Sequence, residues 1–113
     1  MAVYVGDLFM ELGSVSYYSP QFARGGMAIS IQFNIFALSA GVTNLTISIE
    51  HKNLEDTSWT ALSTAAYTTT GLQAPLTGSN VKEVVRIKYI VNATNEYDAV
   101  FCNTLAPVWQ PYP

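Results

Sequence analysis

Charged side chains are scarce in this sequence of 113 residues, where Lys, Arg, Asp and Glu together make up 12%. That is about half of the ~25% usual in globular domains. A small domain has a large surface for its volume, and a free monomer covers much of that surface with charged side chains. We therefore expect part of this surface to be buried in a permanent or repetitive assembly. With five basic residues and a net charge of −3, we expect no electrostatic nucleic-acid interface.

Residues suited to catalysis or metal binding are equally few, with one histidine, His51, and one cysteine, Cys102. Nothing in the sequence couples these two as base and nucleophile. We interpret His51 as a residue at the rim of the core and Cys102 as a small buried apolar side chain. One Cys and one His cannot form a structural zinc site, and calcium on Glu55, Asp56 and Asp98 is a minor alternative. We expect no enzyme activity and no cofactor.

Long apolar runs and export signals are also missing. The longest candidate for a membrane span, MAISIQFNIFALSAG, is interrupted by Gln32 and Asn34 and is shorter than the ~20 residues that a span requires. The N-terminal MAVYVGDLFMEL has no basic start and no small-residue cleavage site, so we expect no signal peptide. The Asn-X-Thr sequences at Asn44 and Asn92 would matter only in a secreted chain, and we attribute them to chance.

The sequence is instead dominated by alternation of apolar and polar residues with a period of two, which is typical of strands with one buried face. In MAISIQFNIFA the large apolar residues are Ile29, Ile31, Phe33 and Ile35. The same alternation occurs over residues 7–12, 45–52 and 83–91, and turn residues separate these segments. We predict an all-β domain over residues 1–105, an antiparallel β-sandwich of jelly-roll type with seven to eight short strands.

The last predicted strand, YDAVFCNTL, is apolar on both faces. Tyr97, Ala99 and Phe101 share one face, and Val100 and Cys102 share the other. A strand of this kind is typical of burial on both sides. We therefore expect the domain itself to cover one face and a further partner to cover the other.

Residues 106–113, APVWQPYP, contain three prolines and the aromatic residues Trp109 and Tyr112. Proline supplies no amide donor, so we predict an extended C-terminal arm outside the sheet interior. Such an arm could pack back on its own domain or dock on a neighbouring subunit, and the sequence leaves both open.

Two segments, IEHKNLEDTSWTAL and the later VVRIKYIV, together form one sequence pattern. A strand is followed by an Asn/Asp turn and Ser-Trp-Thr, and a later strand contains Arg-x-x-Tyr. This pattern, between Leu45 and Val91, resembles the small β-sandwich virion proteins of tailed phages, such as head-decoration and other capsid- or tail-associated proteins. The resemblance implies a non-enzymatic structural protein, made in the host cytoplasm and located in the virion. Its expected partners are copies of itself and a major capsid or tail protein, without nucleic acid or membrane. We expect contacts through the aromatic residues Tyr17, Tyr18, Phe22, Trp109 and Tyr112.

The same segments also resemble the discoidin-like carbohydrate-binding sandwiches. That resemblance implies a glycan site at Trp59 with the turn residues Asn53 and Asp56. The simpler interpretation of Trp59 is a corner of the core, where its ring folds the hairpin onto the sheet.

Overall fold

A computed structural model describes residues 6–11, 16–93 and 98–110, and within them every regular element is a β-strand. None of these residues belongs to a helix that is long and apolar enough to cross a membrane. The strands are β1 (Gly6–Glu11), β2 (Tyr17–Tyr18), β3 (Phe22–Ala23), β4 (Ala28–Ile31), β5 (Phe33–Leu38), β6 (Val42–Lys52), β7 (Thr60–Tyr67), β8 (Gly71–Leu72), β9 (Leu76–Ser79), β10 (Val84–Ala93), β11 (Ala99–Thr104) and β12 (Val108–Gln110).

The strands form two antiparallel layers. The first layer consists of two hydrogen-bonded sheets, β1-β11-β5-β8 and β12-β4-β9, which we count together as the first sheet because β4 and β5 are one run of chain that bends at Gln32. At this bend the Leu105 N–H donates to the Gln32 carbonyl, and the Gln73 N–H donates to the Phe33 carbonyl. The second sheet has the order β2-β10-β6-β7, with β3 also paired to β10.

The winding is that of a jelly roll. When the interrupted pairs β2/β3, β4/β5, β8/β9 and β11/β12 are each counted as one strand, eight strands remain. Their order is then 1-8-3-6 in the first sheet and 2-7-4-5 in the second. Eight strands in two antiparallel sheets are the jelly-roll architecture. The predicted all-β antiparallel sandwich is therefore confirmed.

The core lies between the two sheets and follows the predicted alternation. The Phe33 ring of the first sheet lies 5.9 Å from the Tyr67 ring and 6.5 Å from the Tyr89 ring of the second. Tyr89 and Thr104 join the sheets through a hydrogen bond of 2.5 Å between their hydroxyl groups. Burial raises the pKa of the Tyr89 hydroxyl. The other fully buried large side chains are Ile29, Ile31, Ile35, Leu45, Ile47, Ile49, Val85, Ile87 and Val100.

The segment TTTGLQAPLTGSN, which reads as a loop in the sequence, forms the edge strands β8 and β9. These strands are two and four residues long and flank Pro75, so they are too short to display an alternation. They form because the bent strand β4/β5 offers an unpaired edge, with which residues 71–72 and 76–79 pair.

The described part of the C-terminal arm, residues 106–110, belongs to the sandwich. Residues 108–110 pair with β4 as an edge strand, and the Trp109 ring packs edge-to-face on Phe22 at 6.3 Å. A side chain at Gly26 would overlap the carbonyl oxygen of Gln110, so this glycine permits the close approach. Of the two arrangements that the sequence left open, these residues adopt packing on their own domain.

Candidate interaction surfaces

The two outer faces of the sandwich differ in charge. On the outer face of the second sheet, which we call the charged face, the outward positions of β6 and β10 include Glu50, Lys52, Arg86 and Lys88. In the first sheet, the edge strand β1 contains Asp7 and Glu11, which pair with Asn103 and Ala99 of β11. The outer face of the other described strands of this sheet, β4, β5, β8, β9, β11 and β12, has no charged side chain. We call this surface of the six strands, with the adjoining Leu105, the uncharged face. The few charged residues of the chain thus leave one part of the surface, that of these six strands, without any charged residue of its own.

Apolar side chains are exposed on the uncharged face. Seven large apolar residues of the described chain are exposed, and five of them belong to this face: Phe36, Leu72, Phe101, Leu105 and Val108. Phe36 is 49% exposed and Phe101 is 36% exposed. The centres of their rings lie 5.3 Å apart, and the two rings form an aromatic ridge. Contiguous exposed apolar surface of this kind marks interaction sites in globular proteins.

A groove of about 490 Å³ lies at the other end of the uncharged face, over β12, β4 and β9. Its side chains are small because Ala28 pairs with Ser79, and Ser30 pairs with Thr77, at the outward positions of the central and edge strands. Its complete lining is Ala28, Ile29, Ser30, Thr77, Gly78, Ser79, Val108 and Gln110. The uncharged face is therefore raised at one end and hollow at the other.

On the charged face, the Arg86 guanidinium contacts two aromatic rings. Its Cζ atom lies 4.1 Å from the centre of the Tyr18 ring and 4.4 Å from that of Trp59. The Arg86 Nε donates to Glu50 Oε1 at 2.8 Å, and the Lys52 Nζ lies 5.1 Å from the Trp59 ring. Cation–π contacts of this kind orient Trp59 on the outside of the sheet.

The interpretation of Trp59 as a corner of the core is therefore wrong. Thr60 pairs with the buried His51, so this position faces the core. Trp59 comes one residue earlier, and its ring contacts Lys52 and Arg86 on the outer face of the sheet. Alternation along the strands thus directs the indole outward.

The turn between β6 and β7 contains the predicted glycan residues Asn53 and Asp56. The Asp56 carboxylate accepts the Asn53 N–H at 2.9 Å, and the Asn53 carbonyl accepts the Asp56 N–H at 3.0 Å. The Lys82 Nζ lies 3.9 Å from Asp56 Oδ2. These contacts fix the turn beside Trp59 and engage one oxygen of the Asp56 carboxylate.

The predicted aromatic contact residues are placed differently from one another. Tyr18 is 46% exposed, whereas Phe22 is buried in the core. Tyr17 and Trp109 are partly buried and pack against the core, and Tyr112 lies outside the described residues. Within this chain, only Tyr18 of the four described residues therefore offers an exposed ring.

The uncharged face was only partly foreseen from the sequence. The sequence predicts a partner on one face of the strand that contains Phe101 without deciding which face, and it gives no prediction for Phe36. Phe36 follows Asn34 at an outward position of the alternation in β5, and a large apolar residue at such a position was the available signal.

His51 and Cys102 lie in different sheets, in β6 and β11. The His51 Nδ1 accepts the Lys82 N–H at 3.1 Å, and burial, followed by the charge of Lys82, lowers the pKa of this histidine. Cys102 is fully buried in the core. Within residues 6–11, 16–93 and 98–110, no group of three or more His, Cys, Asp or Glu side chains could hold a metal ion. Glu55, Asp56 and Asp98, which the sequence offered as alternative calcium ligands, therefore do not form such a group in this part of the chain.

No protein-family model matches the chain, and no curated protein or solved structure matches it either.

Proposed function

We propose that the protein is a non-enzymatic structural subunit that assembles with copies of itself, in a phage capsid or tail. The observation that carries this proposal is the uncharged face with its aromatic ridge of Phe36 and Phe101. A face without charges loses no ion hydration when it is buried, and its apolar area supplies the driving force. Interface cores have the same composition, being poor in charge and rich in aromatic residues.

The aromatic ridge is large enough to matter energetically. Phe36 and Phe101 are 49% and 36% exposed, and a phenylalanine presents roughly 200 Å² when fully accessible, so the pair exposes roughly 170 Å². At about 25 cal/mol per Å², complete burial contributes at most about 4 kcal/mol per copy. Part of this is offset by the entropy of association, so the rest of the face has to take part in the contact.

The shape of the uncharged face suits contact between identical subunits. A twofold axis that lies in the plane of the face, at right angles to the line from the ridge to the groove, brings the aromatic ridge of one copy over the groove of the other, and the reverse contact forms at the same time. Small residues such as Ala28, Ser30 and Ser79 leave room in the groove for the rings. One surface then provides both halves of the contact.

The virion location rests on two supports. The first is the resemblance between residues 45 and 91 and the small sandwich proteins of tailed phages. The second is the jelly-roll winding, an architecture used by viral capsid proteins as well as by lectins. Because one fold can serve many functions, the jelly-roll topology supports only the location in a virion. The proposal that the protein assembles is based on the uncharged face.

Paired substitutions on the ridge test the assembly proposal. Phe36→Thr with Phe101→Thr keeps strand-forming residues but removes the rings, and we expect the mass in solution to fall while the circular dichroism is unchanged. Leu54→Ser is the matched control because Leu54 is an exposed apolar residue in the turn between β6 and β7, remote from this face. An unchanged mass of the double variant, or an equal fall for Leu54→Ser, would contradict the proposal.

A glycan-binding module is the second candidate, and the outward position of Trp59 favours it. Trp59 and Tyr18 present partly exposed rings on the charged face, beside the turn of Asn53 and Asp56. Aromatic rings next to hydrogen-bonding groups suit sugar rings. Glycan-array binding that is lost in Trp59→Ala and retained in Tyr112→Ala would establish this function, and the absence of any glycan binding would dismiss it.

A further inference from the structure

β7 is the long edge strand of the second sheet. It pairs with β6 on one side and is the last strand in the sheet order. A side chain at Gly78 of β9 would meet Leu62, so the first half of β7 lies near β9, but no described backbone pairing joins the two strands. Among the described residues, no strand therefore pairs with the N–H and C=O groups of β7 that point away from β6, and such groups can pair with another strand.

Edge strands of natural proteins usually carry features that prevent pairing, and the other edges of this sandwich have them. β1 contains Asp7 and Glu11. β2 and β3 are two residues each and flank Pro20, and β8 and β9 are short and flank Pro75. Short strands, charges and prolines are the usual protections against edge-to-edge contact.

β7 has none of these protections. Its eight residues, TALSTAAY, contain neither charge nor proline, and the uncharged sequence extends from Thr57 to Val81. A register shift in its pairing with β6, between Ile49 and Glu50, affects only its beginning. The regular part, residues 63–67, is five residues long, which is an ordinary length for a strand in a sheet.

We infer that residues 63–67 of β7 are a second assembly contact, which pairs antiparallel with the same strand of another copy. This inference rests on the proposal that the chain assembles with copies of itself. Antiparallel pairing of a strand with itself places like residues near one another, so any charge in β7 would meet its own sign. Thr64 and Ala66, the outer-face residues of this part, are small, uncharged and exposed. The two second sheets then become one continuous sheet across a twofold axis.

Two separate contacts on one chain predict a larger assembly than either does alone. The uncharged face belongs to the first sheet, and β7 belongs to the edge of the second. Each contact alone closes a dimer, because each is related by a twofold axis. Together they link more than two copies, as a repetitive structural assembly requires.

The test uses the Phe36→Thr, Phe101→Thr background, in which the face contact is removed and the β7 contact remains. We expect this background to sediment as a dimer, and the further change Ala66→Lys to raise the dimer Kd about tenfold or more, towards the 12.3 kDa monomer. Ala74→Lys is the matched control, because Ala74 is also exposed but lies in the β8–β9 turn. The amides of residues 63–67 should show hydrogen-exchange protection that rises with protein concentration, except in Ala66→Lys.

The outcomes separate this inference from the assembly proposal. If the unsubstituted chain is an oligomer but Ala66→Lys changes neither its mass nor the exchange of residues 63–67, the β7 contact is wrong and the assembly stands. If Ala74→Lys dissociates the dimer as much as Ala66→Lys does, the effect is one of net charge and the inference is overturned. If the unsubstituted chain is a monomer at every concentration, both proposals fail.

Discussion

Tyr89 and Thr104 form the hydrogen bond that joins the two sheets inside the core, and replacing Tyr89 with phenylalanine should destabilise the fold without changing its shape. Both residues are almost completely buried, and their hydroxyl oxygens lie 2.5 Å apart. Tyr89→Phe leaves the Thr104 hydroxyl without this partner in a place that water does not reach. A buried polar group left unsatisfied costs about 1–3 kcal/mol.

The loss should be measurable as a lower midpoint of urea unfolding at an unchanged slope. In thermal unfolding, a domain of this size loses roughly 4–8 °C in Tm per kcal/mol, so we expect a fall of several degrees. Thr104→Val, which keeps the side-chain shape, should lower the free energy of unfolding by a similar amount, because it leaves the Tyr89 hydroxyl without this hydrogen-bond partner.

The double variant Tyr89→Phe, Thr104→Val distinguishes a true pair from two independent effects. Removing both hydroxyls leaves no unsatisfied group, so the double variant should be nearly as stable as the unsubstituted protein. If the two losses add instead, the hydroxyls do not depend on each other and the account of the core is wrong.

Two further predictions concern the rim of the sandwich. Gly26→Ala places a methyl group against the Gln110 carbonyl and should displace β12 and its Trp109, at a cost of about 1–3 kcal/mol, seen as faster amide exchange of residues 108–110. Unchanged exchange would mean that β12 does not need this close approach. The pKa of His51 is lowered in the folded state, so the unfolded chain takes up the proton first, and stability should fall as the pH drops through about 6.5. Urea midpoints compared above and below that pH should differ for the unsubstituted protein, whereas a difference that persists in His51→Gln would assign it to other groups.

The core of the fold could be predicted from the sequence because alternation reports directly which face of a strand is buried. Ile29, Ile31, Phe33 and Ile35 are buried as expected, although the chain bends between β4 and β5. Strands β8 and β9 could not be predicted, since two to four residues beside a proline show no alternation. Their existence depends on the distant edge that β4/β5 presents.

The surfaces were harder to predict than the core. The outward direction of Trp59 depends on its place opposite β6 and on Arg86 in β10, which is 27 residues further along the chain. Phe22 and Trp109 were expected at subunit contacts, yet each packs on the other at 6.3 Å within the chain. A sequence shows that an aromatic residue needs a partner, but it does not show whether that partner belongs to the same chain.

The central claim is that the uncharged face is buried between copies of the protein, and the mass in solution tests it most directly. Light scattering of the unsubstituted chain, from micromolar to millimolar concentration, should give an assembly of more than two copies that persists on dilution. A mass of 12.3 kDa at every concentration would contradict the account, because Phe36, Phe101 and the groove would then remain open to water.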